Sequence, residues 1–189
     1  MRARPSFVVK VPPAATSLTL ALLTLTAGCA RTPTGESVKP TPSPPAAGPA
    51  VDVSQLGLSM ADGSTKKLSE MRGKVVVLDF WATYCKPCVE KLPHLQKLAE
   101  EWGDKVIVIA VTLDPDVKAA AAWAKAHKLT LPVAAFDDAM KPLLFPGEES
   151  IVIPQVRVVG PDGKLARSFG PESSLDELKA SVDALLAPK

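Results

Sequence analysis

The sequence predicts an α/β domain built on a mixed β-sheet with helices packed against it. Two observations support this prediction. From residue 75 onward, segments with strand character alternate with segments of helical period, and the last two strands form a hairpin before a closing helix. The chain has 189 residues, of which 47% are hydrophobic, so it is long enough for one domain with a sizeable core.

The first part of the domain is predicted to contain a hairpin, a core strand and a long helix. Residues 55–60 and 65–68 flank an Asp62-Gly63 turn, which indicates a β-hairpin. Residues 75–78 are continuously aliphatic, which is typical of a strand covered on both faces. A helix is expected over residues 86–102, because apolar side chains recur there on one stripe.

The second part repeats this alternation. Residues 106–111 predict a second buried strand, and Asp114-Pro115-Asp116 is expected to open a helix that runs to about residue 128. A short strand over 131–136 and a helical turn over 139–144 follow. Strands at 156–159 and 164–169 form the terminal hairpin, and Ser174 with Glu177 predicts a capping box at the start of the last helix.

Residues 1–28 are predicted to be a lipoprotein signal peptide. Basic residues precede a short apolar run, which is the arrangement of a secretory signal, and the run is too short for a membrane-spanning helix of about 20 residues. Thr26-Ala27-Gly28-Cys29 resembles the bacterial lipobox, which implies cleavage before Cys29 and lipid attachment to that cysteine. An ordinary signal peptide that leaves Cys29 as an incidental thiol is the alternative.

Residues 29–50 are predicted to be a tether and residues 51–189 the folded domain. The tether is rich in proline, serine and threonine and has no apolar period, so an extended linker is expected. Without the three basic residues of the leader, 19 of the 22 basic residues remain against 20 acidic ones. This near-neutral charge gives no basis for nucleic-acid binding.

The segment most informative about function is Cys85-Lys86-Pro87-Cys88, which follows a buried strand and opens a helix. Residues three apart on a helix face the same way, so the two sulfurs can meet. The helix N-terminus stabilises a thiolate on Cys85 through free N–H groups and the helix dipole. Pro87 fits the first helical turn, where its missing N–H has no cost. The pair therefore indicates thiol–disulfide exchange with Cys85 as the attacking sulfur.

Other uses of the cysteine pair have less support. A structural disulfide across so short a loop would restrict the unfolded chain little. Haem attachment requires His after the second cysteine, and Val89 stands there. A structural zinc site usually needs four ligands, and the chain has only 3 cysteines and 2 histidines. Neither a metal site nor a cofactor is therefore predicted.

Further segments extend the pattern around the cysteine pair. They are Asp62-Gly63, Arg72-Gly73-Lys74-Val75, Phe80-Trp81-Ala82-Thr83-Tyr84, Pro93, Ile153-Pro154 and Asp162-Gly163-Lys164. With the cysteine pair they resemble the TlpA/ResA-like branch of the thioredoxin family. This resemblance implies a thioredoxin fold with an N-terminal hairpin extension, a cell-envelope location and thiol–disulfide reductase activity. It also implies that Cys85 attacks the substrate disulfide and Cys88 resolves the mixed disulfide.

The resemblance assigns roles to further residues. Asp79 takes the place of the buried acid of thioredoxin, where desolvation would raise its pKa and let it accept the proton of Cys88. Pro154 matches the family's cis-proline. The substrate groove would be lined by Trp81, Tyr84, Lys86, Pro87, Ile153 and Pro154, although aromatic packing is an equal alternative for Trp81 and Tyr84.

The chain departs from the family pattern at two places. Members commonly carry Glu three residues after the second cysteine, whereas this chain has Lys91 there, so a proton relay through that Glu is not expected. A cation on this helix face should instead favour thiolate. Residues 141–150 also lack the Tyr-Gly-Val-type approach to the cis-proline, so the groove is expected to differ.

Two other functions stay open at the level of sequence. A peroxiredoxin-like peroxide reductase shares the fold, but it would carry Thr where Ala82 stands. A Cu(I) delivery module would use the cysteines as soft ligands, although no His or Met is close in sequence. The expected partners of a reductase are disulfide-containing envelope proteins, apocytochrome c among them, and a membrane thiol reductant donor. The lipid anchor would hold it on the periplasmic or outer face of a membrane.

Overall fold

The computed structural model describes residues 51–187, so the expected signal peptide and the whole expected tether, Cys29 included, lie outside the described residues. The strands are β1 (Gly57–Ser59), β2 (Thr65–Lys67), β3 (Val75–Trp81), β4 (Val106–Thr112), β5 (Val133–Ala135), β6 (Gln155–Val159) and β7 (Leu165–Phe169). The helices are α1 (Lys86–Trp102), α2 (Val117–Ala126), α3 (Lys141–Leu144) and α4 (Leu175–Leu186). None of the described helices is long and apolar enough to span a membrane.

The central sheet has the strand order β5-β4-β3-β6-β7, and β1 and β2 form a separate hairpin. Strands β3, β4 and β5 run parallel, whereas β6 is antiparallel to both β3 and β7. The mixed sheet and the N-terminal hairpin extension are those predicted from the sequence. Strand β3 is the middle strand, and it carries the chain directly into the cysteine segment.

The two faces of the sheet bury separate parts of the core, because successive side chains of a strand point to opposite faces. Leu78 and Phe80 of β3 pack with the hairpin and with the segment around α3. Val77 packs with α1 and α4, and Trp81 packs with α1 and α2. Asp79 lies between Val77 and Trp81 in this alternation, so it faces the helix that carries the cysteines.

Most element boundaries follow the sequence prediction, and α2 is the main correction. It begins at Val117, because Asp116 is the N-cap and its carboxylate accepts hydrogen bonds from the N–H groups of Lys118 and Ala119. Asp114 and Pro115 therefore precede the helix instead of opening it. Helix α1 has the predicted bounds, and the capping box between Ser174 and Glu177 is present at the start of α4.

Candidate active site

The two cysteines form a disulfide at the N-terminus of α1. Cys85 is the N-cap residue, and its Sγ accepts a hydrogen bond of 3.3 Å from the N–H of Cys88. Cys85 retains 8% exposure, whereas Cys88 has none. A substrate sulfur can therefore reach only Cys85, and the donor at its sulfur would stabilise negative charge there after reduction.

The turn before Cys85 is held by Asp114, which follows β4. The N–H and the hydroxyl of Thr83 donate to the two oxygens of this carboxylate at 2.9 and 2.8 Å. The hydroxyl of Thr112 donates to Asp114 Oδ2 at 2.7 Å. Because charge-assisted hydrogen bonds are among the stronger ones, this network fixes the loop that presents the reactive sulfur.

Asp79 lies fully buried on the face of β3 that α1 covers. Lys91 of α1 reaches it from one turn beyond Cys88, and the Lys91 ammonium forms an ion pair with Asp79 Oδ1. Neither carboxylate oxygen accepts an aligned hydrogen bond within the described part of the chain. Burial raises the pKa of Asp79, and the nearby Lys91 charge offsets only part of that effect. The site thus contains a buried carboxyl group that holds a proton more readily than an exposed one does.

The loop before β6 contains the predicted cis-proline, and the Ile153–Pro154 peptide bond is cis. Ile153 packs against the cluster that contains both cysteines. Pro154 lines a cavity of about 140 Å³ together with Pro87 and Lys91. The fold therefore brings the proline loop to the cysteine segment and Lys91, although Pro154 is more than 60 residues from either of them in sequence.

The predicted groove residues divide into a surface group and one buried residue. Lys86 and Pro87 are exposed, and Ile153 and Pro154 are half-buried. Tyr84, at 74% exposure, and Val152, at 59%, are the exposed large hydrophobic side chains among residues 51–187. Tyr84 directly precedes Cys85, and Val152 lies two residues before the cis-proline.

Trp81 corrects the groove prediction, because its side chain is fully buried. It packs beneath the cysteines and against Trp123 of α2, with ring centroids 5.7 Å apart. As the last residue of β3, it points to the same covered face as Asp79. Its contribution is therefore to the floor of the site and not to the surface that a substrate touches.

Sequence reasoning missed two contributors to the site region. Asp114 was expected to act at the start of a helix, and no local pattern indicates its bonds to Thr83, 31 residues earlier. Arg157 lies in a predicted strand, and a guanidinium within the apolar run Val156-Arg157-Val158-Val159 signals a buried charge that needs partners. Among residues 51–187, no three His, Cys, Asp or Glu side chains are grouped to hold a metal ion.

Comparisons with known proteins agree with this geometry. The AhpC/TSA family matches residues 49–168. The thioredoxin-like protein YneN of Bacillus subtilis is 38% identical over 79 residues, which cover 40% of this chain and 46% of YneN, so the match spans less than half of that relative. Thiol-disulfide oxidoreductase ResA of Bacillus cereus is 30% identical over 126 residues, 66% of this chain and 70% of ResA.

The fold is also found in solved structures. A DsbF homologue from Corynebacterium diphtheriae superposes with a TM-score of 0.65, at 23% identity, over 77% of this chain and 95% of that one. At this identity, the likeness supports the fold.

Proposed function

Because the chain belongs to the AhpC/TSA family, in its TlpA/ResA-like thioredoxin branch, we propose that it is a thiol–disulfide oxidoreductase that reduces disulfides of cell-envelope proteins. The observation that carries this proposal is the Cys85–Cys88 disulfide at the N-terminus of α1, with one sulfur accessible and the other enclosed. A buried carboxylate on the same side of the sheet supplies a proton acceptor.

The reaction begins from the dithiol form. The Cys85 thiolate attacks one sulfur of a substrate disulfide, and the other substrate sulfur leaves as a thiolate that takes a proton from water. The Cys88 thiol then passes its proton to Asp79, and the resulting thiolate attacks Cys85 Sγ. The second substrate thiolate leaves and takes a proton from water, and the Cys85–Cys88 disulfide forms. Two electrons pass to the substrate, whose disulfide becomes two thiols, and a reductant must then restore the dithiol.

Asp79 suits the resolving step because its raised pKa lies closer to that of a thiol than an ordinary carboxyl does. Lys91 limits this rise in pKa, because its positive charge stabilises the ionised form of Asp79 within an apolar site. Lys91 also lines the cavity that reaches Pro87 and Pro154. A proton taken up by Asp79 would leave past Lys91, which both pairs with Asp79 and lines this cavity.

Protein disulfides are the proposed substrates because the apolar surface beside the disulfide suits a polypeptide. Tyr84, next to Cys85 in the chain, and Val152, in the proline loop, are both exposed, and a polypeptide substrate could cover them. Apocytochrome c is a candidate substrate, and a membrane thiol donor is the proposed reductant. The lipobox-like sequence at Cys29 supports anchoring to a membrane of the cell envelope.

The reductase activity is tested with insulin as the protein disulfide and dithiothreitol as the reductant. The expected result is catalysed insulin reduction by the wild-type protein and none by Cys85→Ser, because the attacking sulfur is absent. Cys88→Ser should instead accumulate a mixed disulfide with the partner, visible by mass and reversible by dithiothreitol. Wild-type insulin reduction no faster than the uncatalysed rate, combined with rapid peroxide consumption, would assign the chain to peroxide reduction.

A further inference from the structure

A buried guanidinium lies on β6, three residues after the cis-proline. Arg157 is almost completely buried, and its Nε donates to the carbonyl oxygen of Leu144 at 2.6 Å. Its Nη2 donates to Glu148 Oε1 at 2.8 Å and to Gln155 Oε1 at 2.5 Å. The guanidinium also stacks on the Phe145 ring at 4.2 Å from the centroid. Burial lowers the pKa of Arg157, and Glu148 opposes that change.

Glu148 connects the two ends of the proline loop. Its Oε1 bonds to Arg157, and its Oε2 accepts a 2.9 Å hydrogen bond from Gln155 Nε2. Glu148 and Gln155 flank residues 149–154, and the contact between their side chains therefore joins the two ends of this loop, here called its base. Within residues 51–187, Glu148 is the one carboxylate paired with Arg157, and it is partly exposed to solvent.

The closed loop contains the groove residues of the proline side. Before the loop, Phe145 is anchored in the core by its edge-on contact with Phe80 at 4.7 Å. Beyond Glu148, the backbone of Glu149 is held by the Lys141 ammonium at 2.7 Å, while Val152 is exposed. The position of Val152, Ile153 and Pro154 relative to the disulfide thus depends on how firmly the base of the loop is closed.

We propose that Glu148, Gln155 and Arg157 are positioning residues for substrate docking, which hold the proline loop in the conformation that receives a polypeptide. This inference rests on the proposed function, because it assigns the loop a role in binding protein disulfides. None of the three residues is needed for the chemistry at the sulfurs. Loosening the base of the loop adds an ordering cost to docking and leaves sulfur reactivity unchanged.

The test compares Glu148→Ala with Glu149→Gln, which removes the same charge at an exposed neighbouring side chain with no described contact. We expect Glu148→Ala to raise KM for insulin roughly tenfold, a change equivalent to about 1.4 kcal/mol, with kcat unchanged. Its rate with a small aromatic disulfide and its reduction potential should match the wild type. Glu148→Gln keeps one acceptor for Arg157, so its KM for insulin should lie between those of Glu148→Ala and the wild type. Glu149→Gln should not differ from the wild type.

A second variant and a second measurement cover the case in which Glu148→Ala fails to fold because Arg157 is left unpaired. The double variant Glu148→Ala with Arg157→Met removes both charges and should show the same rise in KM. Hydrogen exchange of residues 149–153 measures the loop without any substrate, and it should be faster in the Glu148 variants only. Unchanged KM, an equal loss with the small disulfide, or unchanged exchange would overturn the proposal. A wild-type protein inert toward insulin would overturn the proposed function instead, and hydrogen exchange would still decide whether the loop is held by Glu148.

Discussion

Lys91 is the counterion of a fully buried carboxylate, so replacing it tests whether Asp79 is charged in the native state. Lys91→Met keeps most of the apolar stem and removes the ammonium. Asp79 then has two options in the folded protein. It can stay ionised without a counterion in an apolar site, or it can take up a proton. The cheaper option sets the loss of stability.

The cost of protonation can be worked from the pH. An Asp with an ordinary pKa of 3.8 must bind a proton against the pH of the solution, at about 1.36 kcal/mol per pH unit. At pH 7 this limits the loss to about 4.4 kcal/mol, and at pH 5 to about 1.6 kcal/mol. Breaking a buried ion pair typically costs about 3–5 kcal/mol, so protonation is the cheaper option at pH 5, whereas the two options cost about the same at pH 7. The wild-type protein already bears part of this cost, because burial raises its Asp79 pKa despite Lys91.

The sign of the pH dependence follows from linkage. A carboxyl whose pKa is raised by folding binds more protons in the folded state than in the unfolded state, so stability falls as the pH rises above the unfolded value. Lys91→Met raises the folded pKa of Asp79 further. Its destabilisation relative to the wild type should therefore be small near pH 4 and should increase toward pH 7.

Urea unfolding of the oxidised protein at pH 5, 6 and 7 measures this difference. Lys97→Met is the matched control, since Lys97 is an exposed lysine on the same helix, and its effect should be small at every pH. Adding Asp79→Asn to Lys91→Met should remove the pH dependence. A destabilisation by Lys91→Met that is constant with pH, or no greater than that of Lys97→Met, would refute the assignment of the ion pair.

Three further predictions follow from the site and the leader. Lys91→Met should lower the reduction potential by roughly 20 mV, about 1 kcal/mol, because it removes a cation that favours the Cys88 thiolate. Equilibration with dithiothreitol measures the potential, and a higher value than that of the wild type would contradict the prediction. Asp114→Ala should slow insulin reduction and lower stability by about 2 kcal/mol, since Thr83 loses two charge-assisted hydrogen bonds, whereas the exposed Asp104→Ala should have neither effect. The mature protein extracted from membranes should begin at Cys29 and carry acyl chains, and an intact mass without them would exclude the anchor.

Local patterns predicted most of the fold because they depend on neighbours in sequence. The apolar stripe of α1, the aliphatic runs of β3 and β4, and the capping box of α4 each arise within a few residues. The bounds of α2 were wrong because two acids near its start serve different purposes. Asp116 caps the helix, whereas Asp114 bonds to a loop from another part of the chain.

The site was predicted in its chemistry and only in part in its contacts. Lys91 and Asp79 were each placed near Cys88, but the ion pair between them was not predicted. This pair joins a strand to the helix packed on it, and the distance between those two elements cannot be read from sequence spacing. Trp81 could have been assigned correctly, since a residue two positions from a buried Asp79 on one strand shares its covered face. The contacts of Arg157 depend on residues 141–150. Because this segment lacks the family's usual approach to the cis-proline, the resemblance did not predict those contacts.

The unequal exposure of the two sulfurs has a kinetic consequence. With Cys88 enclosed, both the proposed protein substrate and the proposed donor that regenerates the dithiol would form their mixed disulfides at Cys85. The two partners therefore compete for one surface, and neither can bind productively until the other has left. Steady-state rates measured against both partners should give parallel lines in double-reciprocal plots, with each partner inhibiting at high concentration. Because both proposed partners would use this surface, a substitution at Tyr84 that improves the encounter with one is expected to alter the encounter with the other.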